Sequence, residues 1–259
     1  MIASFFQSLE ERGVAYLLIN GQATVLYGAA TFSEDIDLWI AQEPDNLERF
    51  RAALRDSFAH YYKLTPPLEL PFLQAGHGFH FLLGPSGGEP VFLDVMGRPP
   101  RVREFAAAAR DSCRFETDWG SLPTVGIRDL IALKKTQRLA DYPIISTLTL
   151  RLLEEAAPSR ETLAWATANL FTLEAFLSFN EKYPAWVETR PANLPNALAQ
   201  IAGRPSDEIP ADILAAANQW MAEAMAGLQL ADRAYWRSLI PQLCDLRATA
   251  HLAAEGAPV

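Results

Sequence analysis

Cysteine is nearly absent from this chain: 259 residues contain two, Cys113 and Cys244, far apart in sequence. Neither has a Cys or His at metal-ligand spacing, so neither a zinc motif nor a disulfide framework is indicated, and free thiols in a reducing compartment are expected. Long apolar runs are missing too. A membrane-spanning helix needs about 20 consecutive apolar residues. The most apolar long stretch, Ala164 to Phe179, is interrupted by Thr, Asn and Glu174 and reads as a buried helix. The opening MIASFFQSLEERG lacks a basic segment and turns acidic at once, unlike a secretory signal. No membrane partner and a cytoplasmic location are therefore expected. Positive charge is in deficit, with 22 Lys and Arg against 31 Asp and Glu and a net charge of −9. That balance argues against a broad nucleic-acid surface while leaving room for a local basic groove.

What is present is an ordinary globular composition, 50% hydrophobic and 20% charged. The first half alternates elements. Ile2 to Arg12 carries Phe5, Phe6 and Leu9 on one helical face and ends at Gly13. Val14 to Ile19 reads as a strand, Gln22 to Tyr27 as a short helix closed by Gly28, and Ser33 to Ile40 as a strand. A helix follows from Pro44 through Phe58, with Leu47, Phe50, Leu54 and Phe58 at helical spacing. His80–Leu83 and Val91–Met96 read as strands joined by the turn GPSGGEP, and Ile127–Ala140 as a helix. Beyond about Thr147 strand signals fade. Helices are expected at Ser146–Ala156, Arg160–Phe179, Leu194–Ile201, Ala211–Leu228 and Asp232–Ala254, separated by Pro184, Pro191, Pro195, Pro205 and Pro210. The expectation is an α/β (α+β) domain with a small mixed sheet over residues 1–145, then an all-helical domain over 146–259.

The stretch YLLINGQATVLYGAATFSEDIDLWI, Tyr16 to Ile40, carries the most information. Asp35 and Asp37 are two apart, so on a strand they project to one side, away from Ile36, Leu38 and Ile40. Two like charges side by side repel, and desolvation adds to the cost. A hard cation between them relieves both, and Mg²⁺ favours a couple of carboxylates plus substrate phosphates.

The glycine turn Asn20-Gly21-Gln22-Ala23, the short helix and the acids Asp35-Ile36-Asp37 together resemble the DNA polymerase β-like nucleotidyltransferase superfamily. More narrowly they resemble its minimal bacterial branch related to AbiEii-type toxins. Ala30-Thr31-Phe32-Ser33-Glu34 resembles that family's lead-in without its arginine, and Asn20 stands where many relatives have glycine. The strand Val91–Met96 supplies a third acid, Asp94. Asp129-Leu130-Ile131-Ala132-Leu133-Lys134 and then Arg138-Leu139-Ala140-Asp141 resemble the family's later helix. The resemblance spans residues 14 to about 145. It implies metal-dependent transfer of a nucleotide from an NTP to an acceptor hydroxyl, on tRNA, a protein or a small molecule. A toxin–antitoxin or defence setting with a protein partner belongs to the same implication. Asp35, Asp37 and Asp94 would hold Mg²⁺ or Mn²⁺ and carry the catalysis. Asn20, Gly21, Gln22, Ser33, Lys134 and Arg138 would contact the nucleotide, with Arg138 one helical turn beyond Lys134 on one face. The alternative is a nucleotidyltransferase-fold binding module without catalysis.

Plainer roles stand beside these. Asp35 and Asp37 could be solvated acids at a strand edge, Lys134 part of a solvated helix face, and Asp141 an i+3 partner of Arg138. Arg98, Arg101 and Arg103 form either a phosphate or RNA contact or a solvated loop. His77 and His80 have H-x-x-H spacing, which on a strand puts them on opposite faces and argues against a shared metal.

Overall fold

Every second residue of the two central strands is apolar, and that pattern sets the core. A computed structural model describes residues 1–85, 89–154, 157–188, 194–201 and 204–259. Its elements begin with α1 (Ile2–Glu11), β1 (Tyr16–Ile19), α2 (Asn20–Leu26), β2 (Ile36–Ile40), α3 (Pro44–Asp56), β3 (His60–Tyr61) and α4 (Leu70–Ala75). They continue with β4 (Gly78–Leu83), β5 (Val91–Met96), α5 (Phe105–Arg110), β6 (Cys113–Thr117), β7 (Gly120–Thr124) and α6 (Ile127–Leu133). Helices α7 (Asp141–Leu152), α8 (Arg160–Thr167), α9 (Leu173–Lys182), α10 (Pro184–Glu188), α11 (Asn196–Ala199) and α12 (Ala211–Ala248) complete the chain, with a 3₁₀ turn at Ser206–Glu208. The fold is therefore mixed α/β, with a helical C-terminal part. Residues 86–88 of the expected GPSGGEP turn, 155–156 at the end of the expected 146–156 helix, and Pro191 lie outside the described residues.

The chain forms two compact units, one of Met1–Leu133 with Tyr235–Val259 and one of Lys134–Ala234. Composition puts its single boundary near 145. The units instead divide at Leu133 and again at Ala234, because the C-terminal segment packs with the first unit.

In the first unit seven strands form one mixed sheet in the order β3-β4-β5-β2-β1-β7-β6. β2 runs antiparallel to β1 and parallel to β5. Ile36, Leu38 and Ile40 join Leu93 and Val95 of β5 and Phe79 and Phe81 of β4 in a core with Phe5, Phe6 and Leu9 of α1 and Leu47, Phe50 and Leu54 of α3. Alternation then obliges Asp37, Asp94 and His80 to the other face. The C-terminal segment is latched at several points. Tyr235 Oη donates to the carbonyls of Gly76 and Arg98, each at 3.2 Å. His77 Nε2 pairs with Gln242 Oε1 at 2.7 Å. Beyond α12, Val259 N–H donates to Ala59 O at 3.2 Å and His60 bridges Pro258, so the tail covers the β3 edge.

Several element boundaries differ from expectation for identifiable reasons. The Pro44 helix ends at Asp56; Phe58 takes φ 51° and is 64% exposed, while Ala59 is buried in its place. The apolar run from Ala164 to Phe179 is two helices, not one. Asn169 Nδ2 donates to the Trp165 carbonyl at 2.8 Å, and Thr172 Oγ1 caps the next helix by accepting from Ala175 N–H at 3.3 Å. The expected helices 211–228 and 232–254 are one, α12. No Gly or Pro interrupts Gln229–Ala231, and Asp232, which resembles a helix start, accepts the Gln137 N–H at 3.0 Å instead. The second unit is helical throughout its described residues and has its own core, built on Leu163, Phe176, Phe179, Trp186, Leu198 and Met221.

Candidate functional site

The site grows from strand register. Asp37 of β2 and Asp94 of β5 are direct partners on parallel neighbours, and His80 of β4 is the antiparallel partner of Asp94. Neighbouring strands lie about 4.8 Å apart, so His80, Asp94 and Asp37 form one row across the sheet. Asp35, just ahead of β2, adds its charge: burial, then Asp94 and Asp35, push the Asp37 carboxyl up to about 6, against two hydrogen bonds that lower it. Those bonds come from the first turn of α2, which starts at Asn20, directly after β1, rather than at Gln22 as expected. Asn20 Nδ2 donates to Asp37 Oδ1 at 3.1 Å, and the Gly21 N–H donates to Oδ2 at 3.4 Å.

That turn needs its particular residues. Asn20 sits at φ 52°, a left-handed conformation that asparagine tolerates better than most. Gly21 is required by proximity. A Cβ there would overlap Ser33 Oγ and lie 2.9 Å from Ser33 Cβ. Gln22 Nε2 donates to the Ser33 carbonyl at 2.8 Å, tying the turn to the segment before the acids. Gly21→Ala is expected to cost about 1–3 kcal/mol, as overpacking does, and Ser33→Gly to recover much of it. A denaturant double-mutant cycle checks this, and additive losses would show that the two residues do not collide.

Asp37 gives the site a pH signature. A folded-state value near 6 lies above the ordinary 3.8, so the folded protein holds this proton more tightly than the unfolded chain. Its contribution is fully present below about pH 4 and is lost as pH rises through about 6. Asp37→Asn should therefore be more stable than wild type at pH 7.5, by about 1–3 kcal/mol, with the gain vanishing near pH 4. Asn20 can turn its amide to suit the new partner. Melting curves across pH test this, and a pH-independent difference would contradict it.

The basic residues are committed elsewhere. The expected helix 127–140 stops at Leu133, so Arg138 is not one helical turn beyond Lys134 on a shared face. Asp141 at the start of α7 instead gathers the polar groups of this segment. Lys134, 6% exposed, donates to Asp141 Oδ1 at 3.2 Å; Thr136 Oγ1 and Arg138 Nε donate to Oδ2 at 2.5 and 3.2 Å. Arg103 bonds Asp129 and Asp111, and Arg101 reaches the Ala132 and Leu133 carbonyls that end α6. Both arginines stay exposed in the loop between β5 and α5, with their guanidinium groups engaged by these partners. Arg98 remains exposed.

Among the described residues no three His, Cys, Asp or Glu side chains converge as a ready-made metal-binding group. The donor chemistry nonetheless fits a hard cation: Asp35, Asp37 and Asp94 offer carboxylate oxygens, and Asp94 and Asp35 both act on Asp37 by charge, after its burial. The residue missed from sequence is His80. Its Nδ1 lies 2.7 Å from Asp94 Oδ1. The only signal was its position on a strand paired with that of Asp94, across a turn too long to fix register.

No family model matches the chain, and no curated protein matches it either. Among the described residues no helix is long and apolar enough to cross a membrane.

Proposed function

We propose that this protein transfers a nucleotide from an NTP to an acceptor hydroxyl, forming a bond from that oxygen to the α-phosphorus and releasing pyrophosphate, with Asp35, Asp37 and Asp94 as its divalent-cation ligands. The carrying observation is the register of Asp37 beside Asp94 on parallel strands, next to the Asn20-Gly21 turn and with Asp35 adding to the same field. Bound Mg²⁺ or Mn²⁺ would neutralise the triphosphate and activate the nucleophile. Asp35 and Asp37 would hold the cation that accompanies the NTP. Asp94 would complete the acidic set and accept the proton of the attacking hydroxyl at its carboxylate. Asn20, Gly21, Gln22 and Ser33 shape the turn, and through Asp37 they orient the acids. The acceptor is tRNA, a protein or a small molecule, and a toxin–antitoxin or defence role in the cytoplasm fits the resemblance in the D-x-D segment.

A second reading, a binding module without catalysis, draws on specific observations. Asn20 and Gly21 direct their donors at Asp37, and Lys134 and Arg138 direct theirs at Asp141. Incubating the protein with each labelled NTP, Mg²⁺ and total cell RNA or lysate separates the two. Label transferred by wild type and lost in the Asp35→Ala/Asp37→Ala protein supports the enzyme. NTP binding with no transfer from any NTP supports the module.

A further inference from the structure

We infer that His80 is a positioning residue for Asp94 and sets the affinity of the acidic site for its divalent cation. The inference rests on the metal-dependent reading above and adds a residue to it.

The contact is short and built by the sheet. His80 and Asp94 face one another across β4 and β5, and Nδ1 lies 2.7 Å from Oδ1. An ionised carboxylate can only accept, so Nδ1 carries the proton and donates it. The Asp94 side chain is 36% exposed and His80 29%. A carboxylate so open to water would sample several rotamers, each a different arrangement of its oxygens. The imidazole, held on its own strand, binds one oxygen and narrows that choice. Ligand carboxylates elsewhere are held in this way, and removing the partner typically costs about 10–100-fold in metal affinity or activity.

A neighbouring glycine fits this assignment. Gly78 lies two residues before His80 on the same face of β4 and does not need glycine for a positive φ. A Cβ there would stand 3.6 Å from His80 Nε2 and 3.8 Å from Cε1. Glycine places no Cβ against that edge of the ring, while Nδ1 on the other side is held by Asp94.

The test measures Mn²⁺ binding by electron paramagnetic resonance on the full chain, independent of any transfer. His80→Ala should raise the Mn²⁺ dissociation constant about 10–100-fold with little change in melting temperature without metal. His80→Asn, whose amide nitrogen takes the place of Nδ1, should restore affinity to within a few-fold of wild type. A merely structural role would move the melting temperature and not the metal constant. Equal Mn²⁺ affinity in wild type and His80→Ala would overturn the inference while leaving the parent reading intact. So would an Asn variant as weak as the Ala variant. Wild-type protein that binds no Mn²⁺ would overturn the metal-dependent reading, and this inference with it.

Discussion

Asp94→Asn is expected to lower nucleotide transfer by roughly 10²–10⁴-fold, the scale for losing an acid–base group, while NTP affinity stays within a few-fold. The substitution keeps shape, and its amide oxygen can still accept from His80 Nδ1, so the cross-strand contact survives. What goes is the charge. In the proposed reading Asp35 and Asp37 remain to hold one cation and its nucleotide. A third carboxylate is needed when an attacking hydroxyl must be activated as well. Because Asp94 is partly exposed, removing its charge should leave the fold intact. Single-turnover transfer and equilibrium NTP titration on both proteins distinguish the outcomes. Transfer reduced less than about tenfold would remove Asp94 from the chemistry. In a pure binding module neither protein turns over, and only affinity responds.

The second large effect concerns stability. Lys134→Met should destabilise the protein by about 3 kcal/mol, the lower end of the range for breaking a buried ion pair. Lys134 and Asp141 have side chains only 8% and 7% exposed, so Asp141 would be left buried with less compensation. Arg138 and Thr136 still bond it, which argues for the lower end. Met fills the volume of the lysine stem, so the loss reports charge rather than a cavity. Asp141→Leu combined with Lys134→Met should regain most of the loss, since a well-packed apolar pair often equals a buried ionic one. Urea denaturation of the three variants decides it. If Lys134→Met keeps full stability and instead loses NTP affinity, the lysine serves the nucleotide, as the D-L-I-x-x-K resemblance implies.

Much of the sheet and its first helices was legible because short-range chemistry marks it. Phe5, Phe6 and Leu9 fall on one helical face and Gly13 follows with φ 63°. Gly28 closes α2 in the same way, at φ 70°. Strands β6 and β7 were not legible. Cys113–Thr117 is largely exposed, and Pro123 sits inside β7, where proline argues against a strand. The break after Leu133 was hidden as well, since 127–140 is free of glycine and proline. Beyond it Asp141 gathers Lys134, Thr136 and Arg138, which no local pattern announces.

The sequence by itself determined that Asp37 points away from Ile36, Leu38 and Ile40, because alternation is local. The expected strand Ser33–Ile40 begins only at Ile36, so Asp35 lies just ahead of it rather than sharing its side. It also determined that Asn20 could take a left-handed turn and that Asp94 lies within an apolar strand. Only the tertiary structure decided that Asp94 stands beside Asp37, that His80 holds Asp94, and that residues 235–259 belong with the first unit. Each of these depends on the pairing of segments distant in the chain. Register across a long turn is set by burying Phe79, Phe81, Leu93 and Val95 together, not by residues within the turn. Burial on the opposite face lifts the Asp37 carboxyl, because desolvation comes from neighbours that the sequence of one strand does not contain.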